Sequence, residues 1–174
     1  MASYEAVGAV LEALAERLRK RSEAAFGVEL NCRVVTTAEF EQASPAEGVS
    51  LFLYRIFPCG ARRPTSGFGG GPGSLFNVEL HFLLTAWAES ANRQHAIAGW
   101  MMQTLAVEPA LAAEELNQIR KGVFGAADTV EVSHAGLSNS ELLELWESLG
   151  LGPYRLCAPY VVRGVNLEQL DSTG

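Results

Sequence analysis

Two long apolar segments, separated by a stretch rich in glycine and proline, constrain the fold of this chain more than any other feature. The first, VSLFLYRIF at residues 49–57, is apolar on both faces. That pattern is typical of a strand covered on both sides, or covered on one side and paired with a neighbouring subunit on the other. The second, LFNVELHFLLTAWA at residues 75–88, predicts another long strand. Because the intervening segment 58–74 is saturated with glycine and proline, we expect antiparallel strands joined by a long, mobile loop.

The sequence before these strands predicts a helix and a short strand. Apolar residues recur at steps of three and four over residues 2–26, with Ser3 as a plausible N-cap and Gly27 as a plausible stop. Alternating residues predict a half-buried strand at 28–34. The polar segment TTAEFEQASPAEG that follows is interpreted as a connection.

The middle of the chain predicts further helices and one more strand. Ser90 is placed to cap a helix with Ile97, Trp100, Met101 and Leu105 on its inner face, which should end near Glu108–Pro109. The segment ALAAEELNQI predicts a short helix, and TVEVSH at 129–134 predicts a strand.

The closing segment predicts a capped helix and a final strand. Ser138 and Glu141 have capping-box spacing, and Leu142, Leu145, Trp146 and Leu149 are spaced to share one buried face. Gly150 ends this helix, and residues 154–167 read as a strand. Since Pro159 lacks an N–H, it favours an edge position, where a neighbouring subunit could sit.

Together these elements predict an α+β fold in which helices pack against a mostly antiparallel sheet. The count is about five strands and three or four helices. A chain of 174 residues with 48% hydrophobic residues can bury one core. We therefore expect a single domain over residues 1–170 and a frayed tail at 171–174.

Composition and charge restrict the partners and the compartment. The net charge of −7 gives little electrostatic reason to bind nucleic acid. No apolar run approaches the length of a membrane span, and the N-terminus lacks the pattern of a signal peptide. Three widely spaced cysteines argue against a disulfide framework and favour reduced thiols in the cytoplasm.

No pattern of residues predicts catalysis, a cofactor or a metal ion. The GFGGGPG segment lacks the phosphate-binding lysine and leads into a strand instead of a helix. His81, His95 and His134 have no metal-ligand spacing. Sequence alone leaves open a cysteine–histidine pair, and Cys59 is the one cysteine expected to be exposed.

Several segments, in their order along the chain, resemble the tube-terminator (cap) proteins of extracellular contractile injection systems. The amphipathic first helix is followed by a strand with a Leu53-Tyr54-Arg55 core and a Gly/Pro-rich loop. The strand with Leu80, His81 and Phe82, the helix HAIAGWMMQTL and the closing ELLELWESLGLGPYRLCAPYVVRGVNL complete the pattern. The resemblance covers residues 4–167. It departs from the family at 157–160, where a serine is expected and no proline is required, and many members carry a further C-terminal region.

The resemblance implies a protomer like those of phage tail terminators, closing into a hexameric ring. Such a ring ends the inner tube and anchors the outermost sheath layer of a particle that is assembled in the bacterial cytoplasm and then released. The implied partners are further copies of the chain, the tube protein and the sheath protein, with no nucleic acid, membrane, cofactor or enzymatic role. A transient assembly adaptor or chaperone of the same particle is the alternative, and a cysteine hydrolase is a third.

We expect subunit contacts through the strand at 49–57, the loop at 60–74 and the final strand. The residues predicted to lie at these contacts are Tyr54, Arg55, Arg62, Arg63, Phe68, Pro159, Tyr160 and Arg163. Arg62 and Arg63 are expected to meet acidic groups of a neighbour.

Overall fold

The computed structural model describes residues 2–42, 47–59 and 75–168. Within them, five helices pack on a sheet of six strands. The helices are α1 (Ala6–Phe26), α2 (Thr37–Gln42), α3 (Ala91–Val107), α4 (Ala113–Ile119) and α5 (Asn139–Ser148), and the strands are β1 (Asn31–Val35), β2 (Gly48–Cys59), β3 (Leu75–Trp87), β4 (Ala110–Ala112), β5 (Thr129–His134) and β6 (Cys157–Glu168). This confirms the predicted α+β class.

The strand order is β1-β2-β3-β6-β5-β4, and every pair except β1–β2 is antiparallel. The predicted antiparallel pairing of the two long apolar segments is confirmed, because β2 pairs with β3 along almost its full length. Gly48, at the start of β2, lies so close to β1 that an added Cβ would stand 2.1 Å from the carbonyl oxygen of Asn31. A larger residue there would separate the two strands.

Both faces of the sheet are covered, each by different helices. Alternate residues of β3 point to opposite faces: Leu80, Phe82 and Leu84 join a large core with α1, α3 and α4. Leu83 and Trp87 join a smaller cluster with α2 and α5. The ring of Phe40 lies at the centre of that smaller cluster, within 5.9 Å of Phe52, 5.4 Å of Trp87 and 5.5 Å of Trp146.

Most helix boundaries agree with their sequence signals. Gly27 ends α1 with a φ of 74°, Ser90 accepts the amide N–H of Arg93 at the start of α3, and Ser138 and Glu141 form the capping box of α5. The N-cap of α1 is Glu5 instead of Ser3, because the Glu5 carbonyl accepts the first helical hydrogen bond, from the N–H of Ala9.

Two segments differ from their predicted structure. The supposed connection after β1 contains α2, whose start is a second capping box: the Glu39 carboxylate accepts the backbone N–H of Thr36 at 2.8 Å. Burial of Phe40 then fixes this short helix on the sheet. The segment 110–119 is helical only from Ala113, because residues 110–112 pair with β5.

The prediction that Pro159 marks an edge strand is wrong. Strand β6 lies inside the sheet, between β3 and β5, and Pro159 is buried. Its carbonyl accepts the N–H of Ala135, so its nitrogen also faces β5, at the point where β5 leaves the sheet. The Ala135 carbonyl accepts the N–H of Leu137 instead. A proline fits this central strand because the hydrogen bond it cannot donate is not required.

Candidate assembly surfaces

A bulge in β2 turns two predicted interface residues to the same side of the sheet. The register between β2 and β3 shifts between Leu53 and Arg55, so Tyr54 and Arg55 together oppose His81. The half-buried Tyr54 ring lies 6.1 Å from the His81 ring, and burial raises the pKa of Tyr54. The exposed Arg55 guanidinium lies 4.6 Å above the ring of Phe57.

Glu79 organises the neighbouring part of the same face. Its carboxylate accepts Nε–H of Arg163 at 2.9 Å and lies 3.3 Å from Nε2 of His81, while Arg163 also donates to the hydroxyl of Ser133 at 2.7 Å. Burial alone would raise the pKa of Glu79, but the hydrogen bond and the charge of Arg163, together with hydrogen bonds from Cys59 and His81, outweigh it, so its pKa lies below the ordinary value. Asn77 and Asn166 extend the network with a 2.8 Å bond.

We call this surface the polar sheet face; it comprises Tyr54, Arg55, Phe57, Cys59, Asn77, Glu79, His81, Ser133, Arg163 and Asn166. It brings together three of the predicted interface residues, namely Tyr54, Arg55 and Arg163. Sequence reasoning missed Asn77, Glu79 and His81 as a group. The signal was present, because polar residues occupy every second position from Asn77 to His81 in the otherwise mostly apolar β3.

The other predicted interface residues lie elsewhere. Tyr160 points to the opposite face of the sheet, where its ring stacks on Phe82 at 6.0 Å and meets the edge of His134 at 5.6 Å. Both Tyr160 and Pro159 are buried within the chain. Arg62, Arg63 and Phe68, like the whole predicted loop at 60–74, lie outside the described residues. Whether any of these residues contacts a neighbour stays a prediction.

One edge of the sheet is sealed by a buried arginine. Arg17, on α1, is 8% exposed and donates to the backbone carbonyls of Glu108 and Ala110, both at 2.7 Å. Its Nε–H also donates to the carboxylate of Glu115 at 2.8 Å. Because Pro109 and Ala113 bond to β5, the Ala110 carbonyl points away from the sheet. The guanidinium therefore occupies the outer edge of β4, where another strand would otherwise pair.

Besides the outer edges of β1 and β4, two strand segments lack a strand partner on one side in the described part of the chain. Strand β1 pairs only with residues 48–52 of β2, so residues 53–59 have no partner on that side. Strand β4 pairs only with residues 129–131 of β5. Beside the remainder of β5 lies a groove of about 520 Å³, which we call the α3–β5 groove. Its walls include Met102, Leu105, Ala106, Pro109, Val132, His134 and Tyr160.

Within the described residues, the geometry offers no activated cysteine and no metal cluster. Burial raises the pKa of Cys32 to about 12 and that of Cys157 to about 11. Burial and the Glu79 carboxylate raise the pKa of Cys59 as well. A catalytic cysteine needs the opposite shift. Among residues 2–42, 47–59 and 75–168, no three metal-binding side chains come together, and every helix is too short or too polar to span a bilayer.

Comparison with solved structures identifies two particle components of the same fold. The sheath/tube terminator of an extracellular contractile injection system, PVC, in its extended state matches with a TM-score of 0.57 and 24% identity, over 94% of this chain and 56% of the other. The tube-terminating cap of the anti-feeding prophage matches with a TM-score of 0.57 and 19% identity, over 94% and 55%. The chain thus spans a little over half the length of these relatives.

A comparison with curated protein sequences found no match. The sequence profile of the Pvc16 N-terminal domain, in contrast, matches residues 9–173, which is nearly the whole chain. This extent includes α1 from Ala9 onward, the other four helices and all six strands of the described fold. The chain therefore belongs to the Pvc16 N-terminal domain family.

Proposed function

We propose that this chain is a structural cap protomer of a phage-tail-like contractile injection system. It ends the inner tube and anchors the terminal sheath layer as a hexameric ring, with the tube protein, the sheath protein and further copies of itself as partners. The observation that carries the proposal is the family match over residues 9–173, supported by a fold shared with two terminators over 94% of the chain.

The surfaces of the chain are suited to assembly. A ring protomer needs two different patches that meet head to tail, and this sheet has two open strand segments, one in β2 and one in β5. One side of a cap must also match the end of the tube. Its other side must not present that tube-end surface again, so that no further tube subunits are added. On the polar sheet face, Glu79 joins Arg163 and His81, which suits a rigid contact surface.

No catalytic step forms part of the proposal. The raised thiol pKa values of Cys32, Cys59 and Cys157 support a purely structural role. Replacing Cys59 and Cys157 by alanine should leave particle assembly and injection unchanged. Loss of injection from correctly assembled particles would instead support the cysteine hydrolase.

The deciding experiment is deletion of the chain from the cells that make the particle. We expect tubes of irregular length and loss of the terminal sheath layer, measured by electron microscopy, with recovery when the chain is supplied again. Tubes of unchanged length with intact sheath attachment would overturn the proposal. Proteomics of purified particles separates the alternative, because an assembly adaptor or chaperone that acts transiently would be absent from them.

A further inference from the structure

We propose that copies of this chain join head to tail by strand addition: the outer edge of β2 in one copy, at residues 53–59, pairs with β5 of the next copy over the α3–β5 groove. The inference deepens the proposed function, since it assigns the contact between neighbouring ring protomers. The partner is a second copy because one and the same chain carries both complementary surfaces.

The groove presents backbone groups that are suited to an incoming strand. The N–H of Val132 donates to the Pro109 carbonyl at 2.7 Å, but Pro109 has no N–H to return to the Val132 carbonyl. Two residues further, the backbone of His134 points to the same side, beyond the end of β4. Met102, Ala106 and other apolar side chains line the wall next to these groups. Open strand groups beside an apolar wall are the features of a strand-addition site.

The outer edge of β2 supplies a strand with matching side chains. Ile56 and Phe57 are 48% and 41% exposed, unusual for large apolar residues within one strand. Ile56 opposes Leu80 in the register, so it points to the sheet face that carries α3 and the groove. Phe57 opposes Glu79 and points to the polar sheet face. A β2 strand placed beside β5 would therefore bury Ile56 against the groove wall.

Strand directions and positions also agree. Three successive antiparallel pairs connect β2 to β5 through β3 and β6, so β2 and β5 run in opposite directions. The open segments of β2 and β5 lie at the same level along the strands, on opposite sides of the sheet. In the register, Val132 opposes Val162, Val162 opposes Leu80, and Leu80 opposes Ile56. A neighbour related by rotation about an axis along the strands would thus pair antiparallel. Because β4 already pairs with residues 129–131 of β5, the incoming β2 strand pairs with the residues of β5 that follow. It therefore lies end to end with β4, on the same side of β5.

Charge complementarity supports the same contact. Arg55 pairs with His81 and Glu131 pairs with Arg163, so both side chains point to the polar sheet face, and Glu131 also contributes to the lining of the α3–β5 groove. Both are exposed, and neither forms an ion pair within the described part of the chain. Strand pairing across the contact would bring this cation and this carboxylate to the same surface, where opposite charges favour one register over others.

Cross-linking of mixed variants tests the contact on the full chain. One protein carries Ile56→Cys and the other Met102→Cys, both with Cys59→Ser. A short bis-maleimide should link the two in the mixture and neither protein to itself. The control is Leu143→Cys on α5, because Leu143 and Met102 have similar exposures of 48% and 42%. Equal linkage to Leu143→Cys would overturn the proposal, as would self-linkage of the Ile56→Cys protein, which indicates a two-fold contact.

Charge exchange gives an independent readout by light scattering. Arg55→Glu alone and Glu131→Arg alone should each weaken self-association by about tenfold, and the double variant should recover it. Glu12→Arg, on the exposed side of α1, is the control and should have no effect. Wild-type chain that stays monomeric at every concentration, or an oligomer insensitive to both changes, would overturn the contact. The deletion experiment on particles separately decides the proposed function, whichever way the contact is decided.

Discussion

Two strand edges of the sheet differ in their exposure: the edge of β4 is closed, and the edge of β2 at residues 53–59 is open. At β4, Arg17 donates to two carbonyls and to Glu115, so the edge is closed from within the chain. At β2, residues 53–59 present an exposed edge with Ile56 and Phe57. Exposed, apolar strand edges favour pairing with other chains, and proteins generally block the edges that are not used. The difference indicates that the edge of β4 is kept closed, while the open segment of β2 is kept for a partner.

The closed edge depends on a buried charge that donates four hydrogen bonds. Arg17→Leu should lower folding stability by about 2–3 kcal/mol, because it leaves Glu115 without its partner and two carbonyls without donors. Equilibrium denaturation in urea measures it. Arg21→Leu is the control, since the exposed Arg21–Glu108 pair should contribute less than about 1 kcal/mol. Equal losses in both variants would show that Arg17 does not seal the edge.

The open edge should respond in assembly and hardly at all in folding. Ile56→Lys places a charge on a half-exposed side chain, so folding stability should change by less than about 0.5 kcal/mol. Self-association, measured by light scattering, should weaken by about tenfold, or about 1.4 kcal/mol. A variant that loses folding stability and keeps its assembly would reverse the comparison between the two edges.

Inside the sheet, the proline of β6 should prove nearly neutral. Pro159→Ala adds an N–H that faces the end of β5, so the loss should be below about 1 kcal/mol and arise mainly from the more flexible unfolded chain. Val161→Pro is the contrasting variant, because Val161 pairs with Ser133 in the same ladder. It should cost about 3 kcal/mol or more. Similar costs in both variants, measured by thermal unfolding, would contradict the explanation of Pro159.

The smallest effect concerns acid stability on the polar sheet face. The pKa of Glu79 lies below its ordinary value of 4.5, so its contribution is complete above about pH 5 and is lost as the pH falls through the lowered pKa. Glu79→Gln should therefore be less stable than the wild type at pH 7, and the difference should shrink as the pH falls below 4.5. Glu144→Gln, on the exposed side of α5, serves as the control. A constant difference across the pH range would exclude this role of Glu79.

The sequence predicted the elements whose signals are local. Gly27, Ser90 and the Ser138–Glu141 box mark helix ends through nearby backbone groups, and these boundaries are confirmed. The Thr36–Glu39 box of α2 was present but overlooked inside a polar segment.

Features that depend on the order of strands could not be predicted in the same way. Pro159 suggested an edge because its missing N–H was considered without knowing where β5 ends. The burial of Arg17 depends on β4, which lies more than 90 residues further along the chain. The polar sheet face combines residues from four strands. Only in β3 did the alternation of polar and apolar residues indicate this face in the sequence.

Electron microscopy of the end of the assembled particle tests the central claim most directly. The account predicts a ring of six copies on the tube end, in which residues 53–59 of each β2 lie beside β5 of the next copy, while the Arg17-sealed edge of β4 makes no strand pairing. A tube end without this chain, or a ring in which neighbours pair through β4, would contradict it.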